Sequence, residues 1–536
     1  MSTPTIENII VVMLENRSYD NLLGGLYMAS NPAPYNAAPS GQTELNGLAN
    51  SSGQPGNYSN PNPNSPGQTI PIGNQTSPTQ VGGAGTYYPP TAIPLIDPGE
   101  FLGDMAWQIT GSQQSSNPYS TWPPSSTANL MQGFTENYAN QIIQSVPSSN
   151  VPDVMNYFTP AQVPVSAWLA NNFGVCDQWF ASVPTQTFTN RAFSHCAAPV
   201  VYQDGSNSYS LVDDAQYVDS IISLPSIFSA LDAAYSNSST PNWKVYFHDY
   251  CITMLTVPYV MNAALSSQNR NVATYDRSDW GTTTPQPITS LLGPGQTPLG
   301  AVPSTFMEDL ENGTLPMYSV IEPRYSNGVI YEKHSLTPYS YPANSNHPGG
   351  ANYPTLKGSP VGPTNPPIDV ADGEAFLKQI YNALQQSSYW NKTLLIITYD
   401  EHGGCFDHVA PPKATPPGQT TNTPSITIPP AWGDVKVIID IDIDPAANGF
   451  GFNVYGCRVP AIIVSPYISA GSRITPASGT FDHASIVRTV WDIFLTNGNP
   501  PNPPTVSSLT QRDAEGSAAS LYPSLDFSIF NNPGQL

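Results

Sequence analysis

The chain has 536 residues, only 10% of them charged, and 38 acidic against 16 basic residues give a net charge of −22. So negative a surface repels the phosphates of nucleic acids and is not attracted to anionic membranes, which argues against nucleic-acid binding. With 39% hydrophobic residues the chain can form a sizeable core, and its few ionisable groups suit a protein that must stay folded in acid.

Four short apolar runs predict buried strands, and one stretch between them predicts a helix. In chain order, strands are predicted at Ile9 to Leu14 and Met317 to Ile321, a helix at Glu374 to Leu384, and further strands at Leu394 to Thr398 and Val459 to Val464. Continuous rather than alternating apolar runs are typical of parallel strands covered on both faces. A helix that leads into a strand is the βαβ pattern. We therefore predict an α/β fold with a doubly wound, mostly parallel sheet and helices on both faces.

Long segments rich in Pro, Gly, Asn and Ser separate these elements, at about 31–94, 347–367 and 410–432. Loops of this length are usually either functional lids or mobile segments outside the core. The sequence contains no internal repeat and no clear boundary, so we predict that residues 1–536 form one domain with large loop insertions. The Pro-rich tail after about Gly498 is predicted to be peripheral.

The five cysteines are widely spaced and form no CxxC or zinc-like cluster. Their odd number leaves at least one free thiol, whereas one or two disulfides are possible without any indicated pairing. No stretch approaches the roughly 18 apolar residues of a membrane span. No signal peptide precedes the first strand, so the protein is expected either to stay inside the cell or to have lost a leader.

Acidic and amide side chains follow two of the predicted strands. Glu15 and Asn16 come directly after the first strand, and Asp400 and Glu401 come just after the strand at 394–398. In open α/β sheets, ligands bind beyond the carboxyl ends of the strands. Carboxylate and amide oxygens are hard ligands that suit Mg, Ca, Mn or the borderline ion Zn. The alternative is that these residues cap helices or form turns, because spacing alone does not show that the two pairs converge.

Histidine is rare in the chain and concentrated in polar contexts. Of the seven histidines, four lie in polar or Gly/Pro-flanked motifs: His347, His402, His408 and His483. A fifth, His248, follows the apolar stretch from Val245 to Phe247 and precedes Asp249. Such side chains can bind a metal or transfer a proton. Taken alone, a histidine of this kind is more often a structural hydrogen-bonding residue, so the argument depends on the pattern rather than on any single member.

Several motifs in this order resemble one known family. They lie at 15–20 (Glu-Asn-Arg-Ser-Tyr-Asp), 131–134, 176–180, 187–191 (Thr-Phe-Thr-Asn-Arg), 347–348, 399–404 (Tyr-Asp-Glu-His-Gly-Gly), 407–408 and 482–485. The set is similar to that of the bacterial phospholipase C, acid phosphatase A and plant non-specific phospholipase C family. The resemblance implies an alkaline phosphatase-like fold and hydrolysis of phosphoric esters.

The resemblance also implies roles for individual residues. One divalent metal ion would be held by Glu15, Asn16, Asp400 and Glu401, with the hydroxyl of Thr187 beside it. Thr187 would attack phosphorus and form a phosphothreonine that water later hydrolyses. His248 and His347 would contact the phosphoryl group, and one of them would protonate the leaving oxygen. The implied substrate-binding residues are Asn190, Arg191 and His402.

The sequence departs from the family pattern at three places. Thr189 replaces the usual proline of the nucleophile segment, and a long Pro/Gly-rich insertion follows His347. The family's Asp-Pro-Gly-His becomes Asp97-Pro98-Gly99-Glu100 here. A carboxylate repels phosphate unless it is protonated or metal-bound, so one hypothesis makes Glu100 a catalytic proton donor at low pH. In the alternative, this loop is rearranged and Glu100 faces solvent.

Two substrate classes remain open, phospholipid headgroups and soluble phosphomonoesters. A lipid substrate would require transient contact with a lipid surface. A function of another class is a catalytically inactive protein that binds phosphorylated ligands or serves as a surface protein. Sulfatase-type cleavage is disfavoured because no Cys/Ser-x-Pro-x-Arg motif is present. Family and acidic composition favour a secreted or periplasmic location.

Overall fold

The computed structural model describes most of the chain. The described residues are 5–80, 87–141, 145–204, 207–214, 220–236, 238, 240–249, 251–266, 269–275, 303–325, 328–330, 339–349, 367–418, 425–427 and 450–536. Residues 350–366 of the predicted insertion at 347–367, and residues 419–424 and 428–432 of the one at 410–432, lie outside these residues.

An eight-stranded sheet forms the centre of the fold. Its strands are β1 Asn8–Leu14, β2 Gly174–Val175, β3 Trp243–Phe247, β4 Val272–Thr274, β5 Tyr318–Ile321, β6 Thr393–Tyr399, β7 Ala461–Val464 and β8 Ser472–Arg473. They lie side by side in the order β8-β2-β7-β6-β1-β5-β3-β4. Among these described strands only β7 runs antiparallel to its neighbours, so the predicted α/β fold with a mostly parallel sheet is confirmed.

Strands β1 and β6 lie side by side at the middle of the sheet. Asn8 pairs with Thr393 and Leu14 with Tyr399, so the two strands are parallel and end at the same level. Every residue of both strands is buried. Since successive side chains point to opposite faces, this burial requires cover on both faces and explains the continuous apolar runs.

The direction of β7 corrects one expectation from the sequence. The run from Val459 to Val464 reads like the others, but Ala461 pairs with Thr398 in an antiparallel ladder. A strand buried on both faces needs apolar residues throughout, whichever way it runs. The pattern therefore predicted the strand but not its direction.

The helices of the described residues are α1 Tyr19–Leu22, α2 Leu102–Thr110, α3 Phe134–Asn140, α4 Pro164–Asn172, α5 Thr187–Cys196, α6 Ile227–Ala234, α7 Ile252–Thr256, α8 Pro258–Leu265, α9 Phe306–Asn312, α10 Val370–Gln386 and α11 Ala484–Val490. Helix α2 packs against α3, and α10 packs against α4 and α9. Helix α5 packs against α6, α7 and α11, while α8 packs against α6 and α7. Among the described residues, no helix is both long and apolar enough to cross a lipid bilayer.

Smaller sheets are present in addition to the central one. Their strands are Ser59–Pro61 with Thr69–Pro71, Gly328–Ile330 with Tyr339–Tyr341, and Ser425–Thr427, Ser220–Ile222, Val201–Asp204 and Asn207–Ser210 in one four-stranded sheet. A second apolar core contains Leu48 and Ile70 from the first predicted insertion together with Leu102 of α2 and Phe134 of α3. The described part of that insertion is therefore anchored by apolar contacts.

The C-terminal tail and the cysteines also differ from simple expectation. Arg512 is fully buried and its Nη1 donates to Asp482 Oδ2 at 3.0 Å, while Leu521 is fully buried. The prediction of a peripheral tail is therefore wrong at these residues, because a Pro-rich composition does not reveal long-range packing, while most other tail residues are exposed or half-buried. All five cysteines are buried free thiols, so neither of the possible disulfides forms.

Candidate active site

The two acidic strand ends meet at one point of the sheet edge. The backbone N–H of Asn16 donates to Asp400 Oδ1 at 3.2 Å, and the N–H of Glu401 donates to the same oxygen at 2.9 Å. Glu15, Asn16, Asp400 and Glu401 have no exposed surface. The parallel register of β1 and β6 therefore brings together all four predicted metal ligands that follow a strand.

Tight backbone geometry allows this approach. Asn16 has a positive φ of 56°, and Gly403 has a φ of 61°. A Cβ atom on Gly403 would lie 2.0 Å from the carbonyl oxygen of Asn16. Only glycine fits at this position, because both the conformation and the close contact exclude a side chain.

The chemistry of the four side chains fits a divalent cation. The Oδ1 atom of Asn16 and the Oε1 atom of Glu401 are buried without a hydrogen-bond partner among the described residues. Burial, together with the nearby carboxylates of Glu100 and Asp400, raises the pKa of Glu401 well above its usual range. Buried oxygens of this kind are costly unless a proton or a cation satisfies them. Hard oxygen donors in this arrangement suit Mg, Ca or Mn.

Arg191 connects α5 to these strand ends. Its Nε donates to Asp400 Oδ2 at 3.0 Å, and its Nη2 lies 3.3 Å from the carbonyl oxygens of Met13 and Leu14. The guanidinium also stacks on the ring of Tyr325 at 5.2 Å. Arg191 therefore holds a predicted metal ligand in place, and its predicted contact with substrate stays a prediction.

Thr187 is the first residue of α5 and is 6% exposed. Residues four apart lie on one face of a helix, so Thr187 and Arg191 share a face. Because Arg191 donates a hydrogen bond to Asp400, this face of α5 is directed at the acidic strand ends. The sequence-predicted nucleophile and the predicted metal ligands thus belong to one region of the molecule.

Asn190 braces the loop in front of α5. Its Oδ1 accepts from the N–H of Val183 at 3.0 Å, and its Nδ2 donates to the carbonyl oxygens of Val183, Thr185 and Gln186 at 3.2, 2.7 and 3.1 Å. The side chain is fully buried. These contacts favour a bracing role over the predicted substrate contact.

Two aspartates that the sequence analysis did not single out support the same loop. Asp213 Oδ1 accepts from Thr185 Oγ1 at 2.6 Å and from the N–H of Leu102 at 2.7 Å, so it joins the nucleophile loop to the start of α2. Asp214 Oδ1 accepts from the N–H of Phe188 at 2.9 Å, and burial raises the pKa of Asp214 to about 8. The only sequence signal was an acidic pair in an acid-poor chain.

Glu100 lies beside the predicted metal ligands. Its Oε1 accepts from Asn16 Nδ2 at 2.7 Å, and it is 8% exposed. The alternative in which Glu100 faces solvent is therefore wrong. Burial first, and the neighbouring Asp97 second, raise the pKa of Glu100 well above its usual range.

His347 completes a group with Asp97 and Glu100, which we call the Asp97–Glu100–His347 cluster. His347 Nε2 lies 3.9 Å from Glu100 Oε1, and its Nδ1 lies 3.8 Å from Asp97 Oδ1. The Nδ1 atom is also 2.7 Å from the carbonyl oxygen of Pro348. One ligand atom from each of the three residues can be chosen so that all lie within 4.8 Å of one another.

The other two histidines predicted in the site are placed differently. His248 follows β3, which is separated from β1 by β5, and it packs against the rings of Tyr275 and Phe376. His402 is fully buried, and burial lowers its pKa to about 3. Its Nε2 is 2.7 Å from Gln108 Oε1, and Gln108 in turn donates to the carbonyl of Gly99. His402 thus supports the loop that carries Glu100, and its predicted contact with substrate stays a prediction.

A second group of acids and histidine lies nearby, which we call the Asp20–Asp407–His408 cluster. Arg458 donates from Nη2 to Asp20 Oδ1 and from Nε to Asp407 Oδ1, both at 3.0 Å. His408 Nδ1 lies 2.6 Å from Asp20 Oδ2. Both carboxylates of this cluster are paired with the buried guanidinium, so we interpret the cluster as a structural network.

Comparisons with known proteins identify the family of the chain. The profile of the Phosphoesterase family matches residues 6–496. Non-specific phospholipase C6 of Arabidopsis thaliana is 29% identical over 515 residues, which cover 95% of this chain and 70% of that protein. Phospholipase C A of Mycobacterium tuberculosis is 24% identical over 492 residues, covering 90% and 72% of the two chains.

Likeness to solved structures is slight. A protein in the alkaline phosphatase superfamily from Vibrio parahaemolyticus aligns with a TM-score of 0.28 and 11% identity over 62% of this chain and 61% of that chain. Phosphonate monoester hydrolase of Agrobacterium radiobacter gives 0.28 and 13% over 68% and 72%. The family match, by contrast, spans nearly the whole sequence and confirms the resemblance seen in its motifs. The chain belongs to the Phosphoesterase family.

Proposed function

We infer from this membership that the protein is a phosphoric ester hydrolase, and we propose that its nucleophile is the hydroxyl of Thr187. The observation that carries the proposal is the meeting of Glu15-Asn16 and Asp400-Glu401 beside the helix that Thr187 begins. Attack by Thr187 Oγ1 would form a threonine–phosphate bond and release the alcohol, and water would then hydrolyse the phosphothreonine.

One divalent cation, Mg, Ca, Mn or Zn, is proposed at this point, with Glu15, Asn16, Asp400, Glu401 and the Thr187 hydroxyl as its ligands. When bound, such a cation lowers the pKa of a neighbouring hydroxyl and stabilises negative charge on phosphoryl oxygens. The buried oxygens of Asn16 and Glu401 that lack a hydrogen-bond partner support this proposal.

The surrounding residues would fix the reacting geometry. Arg191 holds the Asp400 carboxylate, and Asn190 holds the loop that ends at Gln186. His347 and His248 are proposed to contact the phosphoryl group, and one of them would protonate the leaving oxygen. Glu100 keeps its predicted role as an alternative proton donor, which its contact with Asn16 supports.

The substrate class is proposed from the relatives. Proteins named phospholipase C favour cleavage of a phospholipid headgroup, with transient contact at a lipid surface and a secreted or periplasmic location. The acidic composition favours a soluble phosphomonoester in an acid environment. An inactive ligand-binding protein is disfavoured because candidates for the nucleophile and for every metal ligand are present.

A paired assay with phosphatidylcholine and p-nitrophenyl phosphate tests the proposal. Wild type should release product from one of them, and Thr187→Ala should lower kcat by at least about 1,000-fold. Thr189→Ala is the matched control, because its Oγ1 bonds the carbonyl of Leu211 at 3.1 Å and has no proposed role in chemistry. Full activity of Thr187→Ala would exclude the nucleophile, and inactivity of wild type on both esters would favour the ligand-binding protein.

A further inference from the structure

We propose that Asp97, Glu100 and His347 bind a second divalent cation next to the one assigned to Glu15, Asn16, Asp400 and Glu401. The proposal rests on the proposed function, because it adds a cation to the same site. The site would then be a two-cation centre, in which one cation would lower the pKa of the Thr187 hydroxyl and the other would stabilise negative charge on the leaving oxygen.

The distances within the Asp97–Glu100–His347 cluster suit shared ligands better than hydrogen bonds. His347 Nε2 and Glu100 Oε1 are 3.9 Å apart, too far for a hydrogen bond. Two ligands that each lie about 2.1 Å from one cation stand roughly 3 to 4 Å apart. If the Nδ1–H of His347 donates to the carbonyl of Pro348, 2.7 Å away, the Nε2 lone pair is left for a metal, as in many metal-bound histidines.

Buried polar atoms around the cluster point to a missing positive charge. Asp97 Oδ1 is buried and has no hydrogen-bond partner among the described residues. The same holds for Asn16 Oδ1, whose amide nitrogen donates to Glu100, and for Glu401 Oε1. Asn16 and Glu401 have no exposed surface, so bulk water does not satisfy these oxygens.

Charge balance supports the same conclusion. The carboxylates here are those of Glu15, Asp97, Glu100, Asp400 and Glu401, and Arg191 forms an ion pair with one of them, Asp400. Arg17 donates to the backbone carbonyls of Asn346 and Ile93 and to Asn21 Oδ1, so these hydrogen bonds do not reach the carboxylates of the site. One divalent cation offsets two further charges, and a second would offset the remaining two.

The donor set indicates which cations fit. Two carboxylates and one imidazole suit Zn or Mn better than Ca, which prefers oxygen ligands alone. A carboxylate that binds a cation carries no proton, so this role excludes proton donation by Glu100. It also excludes proton donation by His347, whose Nε2 would be on the cation, and leaves His248 as the proposed donor to the leaving oxygen. The number of bound ions per chain therefore distinguishes Glu100 as a metal ligand from Glu100 as a proton donor.

The test is a metal count that does not depend on activity. Purified protein is stripped with a chelator, dialysed against Mn²⁺ and measured by elemental analysis and titration calorimetry. We expect two ions per chain for wild type and one for Asp97→Asn and Glu100→Gln. Asp153→Asn is the matched control, since it removes another buried acid and should keep two ions.

A measurement on wild type alone guards against variants that fail to fold. Electron paramagnetic resonance of the Mn²⁺-loaded protein should show a spin-coupled pair. One ion per chain, an uncoupled spectrum, or two ions retained in Glu100→Gln would each overturn the second site. One ion together with turnover leaves the proposed function intact, whereas no bound ion at all contradicts the proposed metal site as well.

Discussion

Two clusters, Asp97–Glu100–His347 and Asp20–Asp407–His408, each contain two acidic residues and one histidine. Both lie near the residues that follow β1 and β6. Within the described residues, the second forms ion pairs with a buried arginine, Arg458, and the first forms none with an arginine. The first retains a buried carboxylate oxygen without a hydrogen-bond partner on Asp97. Acid–histidine composition thus identifies neither a metal site nor a structural network. What distinguishes them is whether a guanidinium already supplies the positive charge.

Removing that guanidinium should give the largest loss of stability. Arg458→Met leaves Asp20 and Asp407 buried without their partner, so the free energy of unfolding should fall by about 3 to 5 kcal/mol. Denaturant titration measures this loss, and the number of bound metal ions should not change. Lys392→Met removes an exposed pair with Glu7 and should cost less than about 1 kcal/mol. Equal losses for the two variants would contradict the structural role of Arg458.

Removing metal should affect the cation site at the ends of β1 and β6, beside the Asp97–Glu100–His347 cluster, and not the Asp20–Asp407–His408 cluster. A ligand present at about 100 times its Kd stabilises the native state by about 2.7 kcal/mol, so chelation should lower Tm by several degrees. Hydrogen exchange should speed up at residues 400–404, which follow β6, and stay unchanged at residues 407–409 beside Arg458. Uniform acceleration across both segments would show that the two clusters are not independent.

Protonation is a third way to neutralise a buried acid, and Asp153 is an example. Burial raises its pKa from 3.8 to about 6. Because the folded form then binds a proton more tightly than the unfolded form, stability should fall as pH rises from about 4 to 6. The shift corresponds to at most about 3 kcal/mol, and we expect about 2. Thermal unfolding of Asp153→Asn should lose this part of the pH dependence, whereas the exposed control Glu44→Gln should keep it.

Asp213 should have the smallest effect, confined to catalysis. Asp213→Ala removes the carboxylate that joins Thr185 to the backbone of Leu102. We therefore expect kcat to fall about tenfold, which is about 1.4 kcal/mol of activation free energy, with KM unchanged. Asp526→Ala is the matched control, because this exposed carboxylate also accepts one N–H and one O–H donor, both from Ser528. A change in KM with constant kcat would argue against a role in positioning Thr187.

Prediction from the sequence was most accurate where the signal is local. The strands at 9–14 and 394–398 match β1 and β6 to within one residue at either end, because burial on both faces leaves a continuous apolar run. The helix predicted at Glu374 to Leu384 lies within the longer α10, Val370–Gln386. The acidic residues that follow the strands could likewise be singled out from position and residue type.

Prediction failed where a partner is distant along the chain. Arg458 and Asp20 are 438 residues apart, and Arg512 reaches Asp482 from a tail that its composition marks as peripheral. Asp213 meets Leu102 across 111 residues. Neither periodicity nor spacing carries information about such contacts, because they depend on how whole segments pack.

The sequence by itself determined the family, the buried strands and the set of side chains able to bind a cation. Only the tertiary structure decided which acids meet, since β1 and β6 become neighbours through pairing across the sheet. It also decided which acids are neutralised by arginine and which are left to a cation or a proton. The physical reason is that a buried charge must be balanced within a few ångströms, and that distance is set by packing rather than by position in the chain.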